Sequence, residues 1–437
     1  MSLLIILFCI ILLVILISRL KITPFLAFLI VSILAGLLLG MDVAAVTTSV
    51  RNGMGKLLGS LLVIIVSGAM LGKLVAESGA AQKITNGLLK IFGVRHMQWA
   101  LMITGFAVGI PLFYNVGFVL IVPLVFAVAY QNKIPVVFLG ISMLAALSVT
   151  HGFLPPHPSP TALVSQFNAD LGKTLFYGII IAIPTVIIAG PLFASTLKKI
   201  KSEPLDTFKP PQLSEDQLPG MANSVISALL PVLLIASTTL LQPSLPAEGN
   251  LRKTILFFSD PDIVMLLSLG VATVSLGIAR KTSITKIMNV YQDAVKDIAM
   301  ILLIMAGGGA LKEIMIDSGA SNQIAQSLQD FNMNPLFLGW LIAAVIRVSM
   351  GSATVAGLTA AGIIAPTVST SHADPNLMVL AVGAGSLMFS HVNDTGFWLY
   401  KEYFNLGMRQ TFLSWSLMET IVSICGLIGV FILQTFL

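Results

Sequence analysis

The sequence predicts an all-α polytopic membrane protein made of two inverted-topology repeats, each with about five spanning helices (one broken) and one re-entrant hairpin. Three observations predict it. The 437 residues are 56% hydrophobic and only 10% charged, with a mean hydropathy of +0.96, whereas a soluble domain carries about 25% charged residues. Apolar runs of roughly 17 residues or more recur along the chain, each long enough to cross ~30 Å of hydrocarbon as a helix. The chain also matches itself: a shift of 240 positions lays 50–80 on 290–320 with nine identities in 31, including Gly68 on Gly308, Leu71 on Leu311 and Ser78-Gly79-Ala80 on Ser318-Gly319-Ala320. The same shift puts His151 on His391, a coincidence not used to choose it.

In chain order, the first run, Leu3 to Ile17, has no basic stretch before it and no small-residue cleavage site after it, and Arg19 and Lys21 follow. It reads as a retained span rather than a cleaved leader. Spans fall near 3–18, 22–40, 57–76, 98–129, 175–197, 223–242, 262–279, 298–315, 336–367 and 412–434. Two further stretches, 136–170 and 377–405, begin apolar and then turn polar with Pro, His, Asn and Asp, and read as re-entrant hairpins. Lipid cannot satisfy open backbone, so such segments must be buried in protein or line a wet cavity. Cys9 and Cys425 lie in apolar runs far apart, which gives no support to a disulfide framework.

The most hydrophilic linker carries Lys198, Lys199, Lys201 and Lys209 beside four acids and four prolines. It divides the chain into a first repeat (1–197), a cytoplasmic linker (198–222) and a second repeat (223–437). The loop after Leu71 holds Lys73, Lys83, Lys90 and Arg95, whereas Glu313 to Pro335 holds no Lys or Arg. The positive-inside rule places the first in the cytoplasm and its equivalent outside, so the second copy is upside down and both termini lie outside. The net charge of +5 sits mostly in loops, where it reports topology rather than affinity for nucleic acid.

Two long spans are interrupted at corresponding places, Val108 to Gly117 and Ser349 to Gly357, where Gly and Pro permit unwinding. A broken helix offers free N–H groups and a positive dipole end at mid-membrane, which suits an anion; a Gly-rich packing face is the alternative. Arg347 lies near mid-depth, where a charge costs at least ~2.5 to 3.5 kcal/mol unless it is paired or hydrated. Its guanidinium fork matches a carboxylate, so either the substrate or Asp394 is its partner. The hairpins add Thr150, His151, His157, Ser159 and Thr161 in one half and His391, Asn393, Asp394 and Thr395 in the other. With Tyr114, Asn115, Ser352 and Thr354 from the broken helices, these supply donors and acceptors for a polyhydroxylated ligand. Asp394, His391 and His151 are also the candidate proton carriers.

Enzyme motifs are absent in any persuasive form: the sequence has neither a P-loop nor a dinucleotide fingerprint, and its His residues lack zinc spacing. No cofactor, metal or nucleic-acid partner is therefore expected. A secondary carrier is the leading class and an ion channel its rival. Two hairpins and two broken helices converging on one point describe a gated site rather than a continuous pore.

Several strings resemble the gluconate permease family (gluconate:proton symporters), within the wider ion-transporter superfamily, nearly end to end. They are Gly68-Ala69-Met70-Leu71-Gly72-Lys73, Pro111-Leu112-Phe113-Tyr114 with Val116 to Leu120, Thr150 to Pro158, Gly351 to Ala356, Ser390 to Asp394 and Gly396 to Leu399. The resemblance implies proton-coupled uptake of gluconate or a relative such as idonate, fructuronate, glycerate or D-serine, in a bacterial inner membrane. A dicarboxylate remains an alternative substrate and sodium an alternative coupling ion, and a homodimer is left open. One departure matters: the family usually carries a glutamate where this chain has Asn115, and an amide cannot exchange a proton near neutral pH.

Overall fold

A computed structural model of the chain describes residues 2–93, 96–110, 114–155, 157–202, 213–241, 249–320, 323, 333–371 and 373–437. Among these every regular element is helical, and seven helices are long and apolar enough to cross a membrane. Expected features that fall outside the described residues are Arg95, Pro111 to Phe113, Pro156, Lys209 and most of the loop before Pro335.

The first part of the chain forms α1 (Ser2–Ser18), α2 (Pro24–Leu38), α3 (Val43–Glu77), α4 (Ala80–Phe92), α5 (Met97–Gly109), α6 (Tyr114–Asn132), α7 (Val136–Phe153), α8 (Pro158–Gln166) and α9 (Leu171–Ile187). After the linker come α10 (Met221–Leu241), α11 (Asn250–Phe257), α12 (Pro261–Ala272) and α13 (Ile284–Asp317). They are followed by α14 (Pro335–Met350), α15 (Ala353–Ser371), α16 (Pro375–Gly385), α17 (Thr395–Tyr403), α18 (Met408–Thr411) and α19 (Leu417–Gln434). Starts are set locally: Asp42 accepts from the Ala44 and Ala45 amides, Asp170 from Lys173, and Asn334 and Asp374 from the amides two and three residues on. Each satisfies helix donors that would otherwise be orphaned.

The spans expected at 98–129 and 336–367 are each two helices in series, α5/α6 and α14/α15, as their breaks require. The spans expected at 57–76 and 298–315 prove longer, because α3 and α13 extend by polar, capped N-terminal turns starting at Val43 and Ile284. The segment 80–92, read above as loop, is the amphipathic helix α4.

α3 and α13 are the central pair and run antiparallel. Ser49 Oγ donates to Asp317 Oδ2 at 2.5 Å, Lys56 pairs with Glu313, and Lys73 Nζ lies 3.3 Å from Asp297 Oδ2. Contacts thus climb one helix while descending the other. At the crossing Gly53 meets Gly309: a Cβ on Gly53 would lie 2.3 Å from the Gly309 carbonyl oxygen. Both helices end alike, in Ser78 and Ser318 followed by left-handed Gly79 (φ 79°) and Gly319 (φ 68°). A side chain there would be strained, so the Ser-Gly-Ala identity of the two segments has a backbone cause.

The helices of the two segments expected as hairpins, α7 and α16, lie inside the protein, and α7 is itself among the seven long and apolar enough to cross a membrane. All of α7 except Phe138 and His151 is buried, and all of α16 except Pro375. Outward faces are apolar, with Leu4 70%, Phe176 63% and Ile432 55% exposed. In water such a belt would be an interaction patch; on a multi-pass protein it is the surface that lipid covers.

Three contacts link chain segments assigned above to one side of the membrane. Gln82 on α4 exchanges hydrogen bonds with Leu213 of the linker, and Lys83 pairs with Glu215 at 2.6 Å. Ser2 Oγ donates to Gln323 Oε1 at 2.5 Å.

Candidate functional site

α14 ends because Gly351 takes a left-handed turn (φ 73°), its amide closing on the Arg347 carbonyl. A side chain is excluded there, since a Cβ would lie 2.1 Å from the Asn393 carbonyl oxygen. Ser352 then starts α15, its Oγ accepting from the Val355 amide at 3.4 Å. The break therefore docks directly on the segment between α16 and α17, where Asn393 donates to the Val348 and Ser349 carbonyls at 2.7 and 3.1 Å. His391 Nε2 is 2.8 Å from the same Val348 oxygen. Carbonyls freed by the interruption are thus satisfied by side chains, as a buried break demands.

These elements enclose a cavity of about 200 Å³. Its wall includes the first residues of three helices: Tyr114 and Asn115 of α6, Ala353 and Thr354 of α15, Thr395 and Gly396 of α17. The N-terminal ends of α15 and α17 border this space, that of α17 already capped by Asp394, and such dipole ends favour an anion. Ser148 and His151 come from α7, Leu57 from α3, Gly308, Gly309 and Lys312 from α13, and Trp415 and Glu419 from the last span.

Arg347 is the best-placed cation, only 4% exposed. Its Nη2 donates to Asp394 Oδ2 at 2.5 Å, while Nε and Nη1 have no hydrogen-bond partner among the described residues. The pairing with Asp394 that the sequence left open is therefore made, but through one N–H group. Asp394 is held in turn: Oδ2 also accepts from Ser390 Oγ, and Oδ1 accepts from the Gly396 amide at 3.1 Å, capping α17. Ser390 Oγ receives the Trp415 indole N–H at 2.7 Å.

Of the residues singled out from the sequence, Tyr114, Asn115, His151, Arg347, Ser352, Thr354, Asn393, Asp394 and Thr395 line the cavity. The other five sit behind it. Thr150 Oγ1 donates to the Ala146 and Leu147 carbonyls, and His157 Nε2 is 3.0 Å from His151 Nδ1. Thr161 Oγ1 donates to the His157 carbonyl, Ser159 is buried, and His391 is turned to Val348. Lys312, Glu419, Ser148 and Trp415 are cavity residues that sequence reasoning missed. The first two carried a usable signal, Glu419 as a lone charge and Lys312 beside Glu313, each following an apolar run; the other two did not. Among the described residues no group of His, Cys, Asp or Glu is arranged to hold a metal.

Comparison with known proteins agrees with this picture of a membrane carrier. The family model described as GntP family permease matches residues 1–436. The chain is 48% identical to a high-affinity gluconate transporter of Escherichia coli K12, with 99% of each chain covered. It is 45% identical to the Gnt-II system L-idonate transporter of the same organism (96% of each covered) and 43% to a gluconate permease of Bacillus subtilis (94% of each). Among solved structures, the Alcanivorax borkumensis YdaH transporter aligns with 95% of this chain and 98% of its own at a TM-score of 0.46 and 14% identity. The family match over 1–436 and the near-whole-length identities of 43–48% settle kinship: the chain belongs to the GntP family of permeases and is a multi-pass membrane transporter.

Proposed function

We propose that the chain imports gluconate or a closely related sugar-acid anion across a bacterial cytoplasmic membrane by proton symport. One observation carries the reading: a buried guanidinium whose Nε and Nη1 meet no protein acceptor among the described residues, on a cavity that the N-termini of α15 and α17 border. A carboxylate docked on the Nη1–Nη2 edge would accept from Nη1 and from the second N–H of Nη2, completing that fork. The hydroxyls of a sugar acid would meet Asn115, Ser352, Thr354 and Thr395. That relatives at 45–48% identity are named for gluconate and idonate supports the substrate class.

Lys312 favours a second reading. A second cation on the cavity wall is what a dicarboxylate would use. Competition against labelled gluconate on the purified protein separates the two. Gluconate and idonate should displace the label, and D-serine, glycerate and dicarboxylates should do so poorly; displacement by a dicarboxylate below the concentration needed for gluconate would overturn the first reading.

We also propose the inverted-repeat arrangement, with repeats 1–197 and 223–437, linker 198–222 inside and both termini outside. Antiparallel α3 and α13 and the matched Ser-Gly-Ala ends support it, as do the contacts of the linker with α4 and of Ser2 with Gln323.

A further inference from the structure

The three candidate proton carriers named above are all engaged. Asp394 holds Arg347, Ser390 and the Gly396 amide. The His151 and His157 rings are bonded to each other, Nδ1 to Nε2 at 3.0 Å, one donating and the other accepting. His391 is committed to the Val348 carbonyl. Glu419 differs. It is 2% exposed, Ser148 Oγ donates to Oε1, and Oε2 has no partner among the described residues. A single π-helical turn, Phe412–Ser416, precedes its helix and sets Trp415 and Glu419 one turn apart on the same cavity wall.

We infer that Glu419 is the proton site of this permease, and that its protonation converts the cavity from net neutral to net positive and so admits the substrate anion. The inference rests on the sugar-acid symport reading above. The charge count carries it: Arg347 and Lys312 bring two positive charges to the cavity, Asp394 and Glu419 two negative ones. With Glu419 ionised the sum is zero and the Arg347 fork is offset. With a proton on Oε2 the sum is +1, matched by one monocarboxylate, and the new O–H can donate to the substrate. Proton and anion then move together with no net charge. Other titratable groups near Glu419 are Tyr114 and His151 on the cavity wall. Of the elements packed on α19, α9 carries Lys173 and Tyr177, outside the cavity lining, and α16 carries no ionisable side chain.

The test is proton uptake on adding gluconate to purified protein in weakly buffered, sodium-free detergent solution. Wild type should take up about one proton per bound anion and lose affinity about tenfold per pH unit above the transition. E419Q, a fixed neutral side chain, should bind gluconate with no proton uptake and a flat pH profile. E419D, which retains an ionisable group, should restore proton uptake, and it stands in should E419Q not fold. Proton uptake by E419Q equal to wild type, a folded E419Q that binds no gluconate, or wild-type binding without proton uptake would each overturn the inference. Absence of gluconate binding by wild type at every pH would instead sink the substrate reading on which it rests.

Discussion

Replacing Arg347 by lysine separates the two duties of this side chain. The guanidinium gives one N–H of Nη2 to Asp394 and leaves Nη1, with the second N–H of Nη2, as a pair for a ligand. An ammonium can keep the bond to Asp394 yet cannot present a second parallel pair of donors from a fixed plane. A charge-assisted hydrogen bond contributes about 1.5–3 kcal/mol, so losing one of the two bonds to a substrate carboxylate should weaken gluconate binding about 10- to 150-fold. Thermal stability should stay near wild type, because the buried ion pair survives. R347A should behave differently: it strands Asp394 without its cation, which costs about 3–5 kcal/mol in buried pairs, and the protein should melt earlier. Equilibrium binding of labelled gluconate and thermal melting of the same preparations give both readouts. An R347K protein that binds as tightly as wild type shows that the fork is not the substrate contact. One that melts as early as R347A shows that the guanidinium is structural.

Three further outcomes are expected. G53A should destabilise the protein by about 1–3 kcal/mol, because its Cβ would strike the Gly309 carbonyl oxygen, whereas G55A, with nothing within 4 Å of a Cβ, should melt at or slightly above wild type; equal melting of the two contradicts the close α3–α13 crossing. With Cys9 and Cys425 replaced, a cysteine at Lys83 should be labelled only from the cytoplasm and one at Gln323 only from outside, and same-side labelling ends the inverted-repeat proposal. K312M should weaken gluconate binding about 3- to 10-fold by removing one positive charge from the cavity wall, and unchanged affinity would take Lys312 out of the binding account.

Much of this was legible before any coordinates, and the reasons are physical. Gly351-Ser352 announced a break because a membrane span tolerates such residues only where unwinding is satisfied by protein, and Asn393 and His391 supply that satisfaction. The Ser-Gly-Ala repeat was visible because a left-handed cap restricts the residue at Gly79 and Gly319. What composition cannot encode is distance. Arg347 and Asp394 were both identified as deep charges, but only folding decides that they meet through a single N–H group. Hydropathy also ends where the bilayer does, so the polar first turns of α3, with Thr47, Thr48 and Arg51, were invisible as helix. Ser148 looks like any small residue in an apolar helix, and only its bond to Glu419 gives it a role. Glu419 itself was readable and overlooked, the lone ionisable group in the apolar run of its span.

The claim that this permease is a proton-coupled sugar-acid importer is tested most directly by uptake of labelled gluconate into proteoliposomes under an imposed gradient, either of pH or of sodium. The account predicts saturable accumulation when the outside is acidic, none with sodium alone, and inhibition by unlabelled idonate. Accumulation that follows sodium and ignores pH, or flux that does not saturate, would contradict it.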